Sequence, residues 1–434
     1  MRIVMFTNTF APHVGGVARS VEAFAREFRR RGHRVLVVAP EFENMPAEEH
    51  DVIRISALQH FNGSDFSVVL ATPAGLRDRL KVFRPQIVHS HHPFLLGNEA
   101  ARVAHTHGLP LVFTHHTLYE QYTHYVPADS VLLQRFVIEL ATCYANMCQQ
   151  VFAPSESIAG LLKEREVEVP IAVVPTGVNY PFFKQADGKD FRARHSISEA
   201  CFLIGHVGRL APEKNLSFLC EAVIGFLEDN PQGRFLLIGK GPSRAKIIEA
   251  FERRNMGSSL LALGELDHDE LRHAYAAMDL FAFSSRSETQ GMVLTEAMAT
   301  GTPVVALDAS GVREVVSDEV NGRLVAREDQ AEFIAAMQWV ADLDSERYRE
   351  LRRGADRTGQ AYSMERSAER ALGLYEDLLD KGGSPPQEMD AWQRTSRQIA
   401  VEWEILSGEA RALGLAMKDQ LGGSDLEQGS GRDR

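Results

Sequence analysis

Two doubly wound α/β domains are the architecture this sequence predicts, and three observations carry the expectation. At 434 residues the chain is too long for one ordinary hydrophobic core. Short apolar strands alternate with amphipathic helical segments, twice over. The strands are continuously apolar, the pattern of parallel sheets covered on both faces.

The first half reads as the strands "RIVMFT", "RVLVVA", "VIRI", "QIVHS", "LPLVFT", "QVFAP" and "IAVVPTG". Between the first two, "VARSVEAFAREFRRRG" carries Val17, Val21, Phe24, Ala25 and Phe28 on one helical stripe. The second half supplies "FLIGHVG", "RFLLIG", "LLALG", "LFAFSS", "TPVVAL" and "GRLVA". The pattern lapses between about 178 and 200, so the domains are placed at 1–180 and 200–360. A helix at 361–381 then returns to the first domain. After "GGSPP", an extra helix is expected at 387–421, with Trp392, Ile399, Trp403, Leu406, Ala410, Leu413 and Met417 at helical spacing. That stripe suits docking onto the same chain, self-association as a homo-oligomer, or membrane contact. The final 422–434 is polar and reads as disordered.

Composition narrows the function classes. Hydrophobic residues make up 44% and charged residues 24%, as in soluble globular proteins. A formal charge of −12 argues against nucleic-acid binding through bulk positive charge. The four cysteines form no C-x-x-C pair, which suits a reducing, cytoplasmic setting. "MRIVMFTNTF" reads as a strand and not a signal peptide, and no apolar run approaches the length of a membrane span. Any membrane contact would be peripheral, on the inner face.

Ligands in open α/β sheets gather beyond the carboxyl ends of strands. There lie Gly15 and Gly16, before a helix that would favour an anion. In the second half Arg209 and Lys214 stand in a strand-to-helix loop, a planar fork and a point charge fit for a diphosphate. Gly239 and Gly241 end the next strand. Twelve of sixteen histidines precede residue 125, clustered in "VHSHHPFLLG" (His89, His91, His92) and "VFTHHTLYEQYTHY" (His115, His116, His124). Without H-E-x-x-H or any specified ligand geometry, hydrogen bonding to hydroxyls or proton handling is expected of them, and no metal site. Glu288 precedes a helix that begins at Gly291 and carries Glu296. Two carboxylates around a backbone-donating turn suit a polyhydroxyl ligand with phosphate better than a glycosidase pair.

Together, Glu288-x7-Glu296, the "GR-x4-K" of Arg209 and Lys214, and the N-terminal glycine pair resemble the family-4 retaining glycosyltransferases of GT-B fold. The resemblance spans roughly residues 1–380. It implies two Rossmann-like domains facing a cleft, with acceptor binding in the first and nucleotide-sugar binding in the second. It gives Arg209 and Lys214 the diphosphate, Glu296 the ribose, and Glu288 the donor sugar, assisted by the backbone around Gln290, Gly291 and Met292. Gly16, beside Gly15, would approach the diphosphate, and His116 would lie near sugar and acceptor. No metal or other cofactor is needed, the co-substrate being a nucleotide sugar such as UDP-glucose.

Two departures, Gln290 where an aromatic residue is common and "THHTLYEQYTHYV", resemble the diacylglycerol glucosyltransferase branch. They imply transfer of a hexose, glucose above all, to a diacylglycerol-type lipid with formation of an α-glycoside. His92, Phe94, Leu95, Leu118, Tyr119, Tyr122 and Tyr125 would receive the lipid, and "REFRRRGHR" would offer surface cations. The alternatives are a soluble saccharide or inositol phospholipid acceptor, a GT-B sugar-nucleotide epimerase, and a non-catalytic sugar-nucleotide sensor.

Overall fold

A computed structural model describes the chain except for residues 14, 47–48, 59–67, 70–73, 122–129, 287, 382–396, 398 and 414–434. The chain forms two compact units, Met1–Val174 with Ala368–Arg434, and Pro175–Ser367.

The first unit contains strands β1 (Arg2–Phe6), β2 (Arg34–Pro40), β3 (Val52–Ile55), β4 (Ala57–Leu58), β5 (Val68–Val69), β6 (Ile87–Ser90), β7 (Leu111–Thr114), β8 (Gln150–Ala153) and β9 (Ile171–Val173). Seven of them make a parallel sheet in the order β3-β2-β1-β6-β7-β8-β9. β4 and β5 pair separately and antiparallel. Because side chains alternate across a strand, each apolar run feeds two cores. Val4, Phe6, Leu36, Val38, Val88 and Phe113 pack with helices Ala74–Phe83 and Leu96–His107 on one face. Beyond the other face, Tyr375 of helix Met364–Lys381 stacks on Phe152 and meets Phe28 of helix Gly16–Arg30 edge to face, both at 5.8 Å.

The second unit contains β10 (Leu203–Val207), β11 (Arg234–Ile238), β12 (Leu260–Gly264), β13 (Leu280–Phe283), β14 (Val304–Leu307) and β15 (Gly322–Val325), ordered β12-β11-β10-β13-β14-β15. Its sheet is also parallel and covered on both faces by apolar cores. Strand order reverses between β1 and β6 in one unit and between β10 and β13 in the other. Those reversals are the positions where such sheets open a crevice.

Two features depart from the sequence reading. Where the pattern lapses, the chain forms two short helices, Tyr180–Lys184 and Gly188–Arg194, the second capped by Asp187 accepting from the Lys189 and Asp190 amides. Elements of five and seven residues are too short for helical periodicity to register. The second is the tail. Residues 399–413 are helical and dock on the first unit, through the face opposite to the predicted stripe. Val401, Ile405 and Ala412 are buried, whereas Ile399, Trp403, Leu406 and Leu413 face outward. The remainder of the expected 387–421 helix, with Trp392 and Met417, and the 422–434 segment lie outside the described residues.

Candidate functional site

In the second unit β10 exits into Gly208 and Arg209, then a 3-10 turn, Pro212–Lys214. Asn215 takes a left-handed conformation (φ 54°) and opens helix Leu216–Asp229. The Ser284 hydroxyl, at the exit of β13, lies 3.0 Å from both the Lys214 and Asn215 carbonyls and fastens that loop. The consequence is that the Lys214 ammonium donates to Glu288 Oε1 at 2.6 Å, both side chains largely buried. Arg209, two residues beyond the end of β10, is exposed.

Gly291, at φ 70°, turns the chain from the Glu288 loop into helix Met292–Ala299. The amides of a helix's first turn point outward from its N-terminus without intrahelical acceptors. Glu296 lies on this helix, buried, and accepts from the Tyr275 hydroxyl at 2.8 Å. Beneath the loop, Gly311 lies so close that a Cβ there would stand 2.6 Å from the Gln290 nitrogen.

The Gln290 side chain has a structural partner that the expectation, which concerned its backbone, did not address. It is buried and makes two hydrogen bonds to one residue: its Nε2 donates to the Thr176 carbonyl (2.6 Å) and its Oε1 accepts from the Thr176 amide (2.7 Å). Only its backbone is left for a ligand. Thr176 belongs to the segment by which the chain enters this unit, and Val178 there exchanges hydrogen bonds with Tyr362 and Met364 on the segment that leaves it.

Gly239 and Gly241 have a packing explanation of their own. A Cβ on Gly239 would fall 1.9 Å from the Gly208 carbonyl oxygen, and one on Gly241 2.2 Å from that of Leu210. Crowding therefore demands glycine at both before any ligand is considered. Gly16 differs. It is the first residue of its helix, Gly15 is the N-cap, and nothing stands within 4 Å of where a Gly16 Cβ would be.

In the first unit the exits of β1, β6 and β7 bring the predicted histidines together. His91 Nδ1 and His116 Nε2 share a hydrogen bond at 2.9 Å, and His92 Nδ1 accepts from the Asn8 amide at 3.1 Å. Phe94 meets Tyr119 edge to face at 5.1 Å and lies 6.3 Å from His92. His89 is occupied on both nitrogens, by Thr114 and by the Tyr375 hydroxyl, which ties helix Met364–Lys381 to the sheet. Tyr122, His124 and Tyr125 lie outside the described residues. Of the five arginines in "REFRRRGHR", Arg30 and Arg31 bond Glu27, Arg29 donates to the Val35 and Asp51 carbonyls, Arg26 stands 3.9 Å from Glu22 and Arg34 lies over the Phe83 ring.

Asn8 escaped the sequence reading. Its side chain donates to the Phe94 carbonyl and accepts from the Leu96 amide, both at 3.1 Å, so it braces the turn after β6. An asparagine after a strand ordinarily signals a turn, which hides such a role. Tyr275, Ser284 and Gly311 escaped likewise, since each acts through a partner distant in sequence.

Burial pushes the imidazoles of His89, His92 and His115 down to about 3, and holds His91 and His116 well below the ordinary range, reinforced by neighbouring imidazoles. Burial of this depth favours the uncharged imidazole at neutral pH. In the unfolded chain the same groups take up protons near 6.5. Each therefore contributes stability that is complete above 6.5 and falls by about 1.4 kcal/mol per pH unit below it. The thermal unfolding midpoint should drop steadily from 6.5 to about pH 5; a flat midpoint would mean that these rings protonate in the folded state.

Among the described residues no group of three or more His, Cys, Asp or Glu side chains is placed to hold a metal ion. Among the described residues, too, no helix is long and apolar enough to cross a membrane.

Comparison with known proteins gives a consistent result. Residues 14–180 match Glycosyltransferase Family 4, and residues 187–358 match Glycosyl transferases group 1. The alpha-monoglucosyldiacylglycerol synthase of Streptococcus pneumoniae is 28% identical over 330 residues, 75% of each chain. The D-inositol 3-phosphate glycosyltransferase of Segniliparus rotundus is 30% identical over 319 residues, 70% of this chain and 69% of that one. Among solved structures, the sucrose-phosphate synthase of Thermosynechococcus elongatus superposes with a TM-score of 0.72 at 22% identity, covering 87% of this chain and 99% of its own.

Proposed function

Because the chain belongs to the family-4 glycosyltransferases of GT-B fold, we propose that it moves a hexose, glucose in the first instance, from a nucleotide diphosphate to a diacylglycerol-type lipid, with retention to give an α-glycoside. The observation that carries this reading is the Lys214–Glu288 pair at the strand-order reversal of the second unit, beside the N-terminus of helix Met292–Ala299. It sets a phosphate-binding cation against a hydroxyl-binding carboxylate.

In this proposal Arg209 and Lys214 neutralise the charge that grows on the departing diphosphate, the form of electrostatic stabilisation that dominates such reactions. Glu288 accepts from the donor sugar's hydroxyls, with the backbone of Gln290, Gly291 and Met292 supplying donors. Glu296, oriented by Tyr275, accepts from the ribose. The Gly15–Gly16 turn and the Gly239–Gly241 loop admit the diphosphate closely. On the first unit, His116, held by His91, meets the sugar and acceptor, and His92, Phe94 and Tyr119, with Tyr122 and Tyr125, take the acyl glycerol. The positive charge comes from side chains and helix amides, so no metal is required. The enzyme would work from the cytoplasm at the inner face of the membrane.

Support for the acceptor is the similarity to the pneumococcal synthase named for monoglucosyldiacylglycerol. The similarity to a D-inositol 3-phosphate glycosyltransferase supports a second reading, the same transfer to an inositol-bearing or other soluble acceptor. Vesicles containing diacylglycerol, incubated with UDP-glucose, should yield a hexosyl lipid detectable by mass spectrometry. Transfer confined to inositol phosphate or a saccharide would replace the first reading with the second. Release of free epimerised sugar nucleotide would displace both.

A further inference from the structure

The docked tail helix is apolar on two faces, and unit 1 covers one of them. On the inner face Val401, Ile405 and Ala412 are buried, and Gly408 lets the helix approach the Cys143 side chain, 3.2 Å from where a Cβ would sit. Arg102 grips Glu402 with two hydrogen bonds, at 2.6 and 3.2 Å. On the outer face Ile399, Trp403, Leu406 and Leu413 are exposed, from 52% at Leu413 to 72% at Trp403, and Ala410 is exposed between them. None of this depends on the reaction proposed above.

The outer residues, 399, 403, 406, 410 and 413, are separated by alternating steps of four and three. That narrow seam is the signature of helix pairing in a coiled coil, with residues 399, 406 and 413 at d positions and 403 and 410 at a positions. A helix lying in a lipid interface instead shows a broad apolar face with basic flanks. Here the flanks are Ala400 and Ser407 on one side, Glu402 and Glu409 on the other.

We propose that this seam receives the same seam of a second copy of the chain, in parallel. A stripe facing solvent on every copy is self-complementary, as a two-fold interface requires. Its exposed side chains offer apolar area on the order of 500 Å² per copy, so a pair buries roughly the 1,000 Å² at which specific interfaces begin. The inner contacts already fix the helix, so little ordering cost remains to oppose association. Parallel pairing sets the glutamate rim of one helix against the small Ala400–Ser407 rim of the other. Antiparallel pairing would set glutamates against glutamates.

Light scattering on the full-length protein, at about ten micromolar, should give twice the 48.3 kDa chain mass. The double variant Trp403→Glu/Leu406→Glu should give the single-chain mass, with an unchanged circular dichroism spectrum. In a separate variant, Ile399→Cys, a short bis-maleimide should link two chains with high yield, because parallel pairing sets residue 399 opposite its counterpart. A wild-type protein of single-chain mass would overturn the proposal. So would a double variant that stays dimeric, or a dimer in which Ile399→Cys fails to cross-link. Wild-type protein that is monomeric in solution and sediments with anionic vesicles through Trp403 would reassign the seam to a membrane.

Discussion

Lys214→Ala is expected to lower turnover by about 10²- to 10³-fold while the protein remains folded, because the lost cation is worth most when charge accumulates on the departing diphosphate. The side chain sits on a loop held by Ser284 and by the left-handed Asn215, so its removal leaves the backbone scaffold in place. It does strand Glu288, whose carboxylate is only 15% exposed. Lys214→Ala/Glu288→Gln separates the effects, since a stranded carboxylate is relieved in the double variant while the diphosphate contact stays absent. Lys214→Arg keeps the charge and alters its shape, and should recover part of the rate. Near-normal turnover in Lys214→Ala would remove the donor assignment. The rates are read as kcat and KM for the nucleotide sugar, with the thermal midpoint as the check on folding.

The second large effect is expected at Gln290. Its alanine variant leaves the Thr176 amide and carbonyl without their partner in a buried place, at a cost of about 2–4 kcal/mol for the pair of groups. Urea unfolding should show that loss as a lower midpoint. Gln290→Glu is informative because it keeps an acceptor for the Thr176 amide and sets a second oxygen against the Thr176 carbonyl. It should be as damaging as alanine at neutral pH. A loss below about 1 kcal/mol in either variant would show that the clamp is dispensable. An aromatic residue at this place would have no amide with which to replace both bonds.

The sheets were legible because each strand is an apolar run bounded by turns, and a parallel strand buried on both faces leaves that mark in any sequence. The helices at Tyr180–Lys184 and Gly188–Arg194 were not, being shorter than the period that would announce them. At the candidate site, Lys214 and Glu288 were each identifiable from motif spacing. Their contact was not, since it joins residues 74 apart. The use of the Gln290 side chain was not legible for the same reason, because its partner Thr176 is 114 residues away. In the tail both faces repeat at steps of four and three. The larger residues drew attention to the face that is exposed, while Val401, Ile405 and Ala412 are what a shallow surface between helices accepts.

The ion pair between Lys214 and Glu288 also bears on what the proposed donor site would ignore. A lone lysine beside a helix N-terminus would collect inorganic phosphate and every free nucleotide in the cell. Here any such anion must first displace a carboxylate 2.6 Å away and leave it without a partner. A ligand bringing phosphate for the lysine together with hydroxyls for the glutamate satisfies both ends at once. On the proposed function the pair would work as a coincidence gate, rejecting half-matches before any chemistry begins. Its signature would be weak inhibition by free phosphate beside strong competition from an intact sugar nucleotide that cannot react.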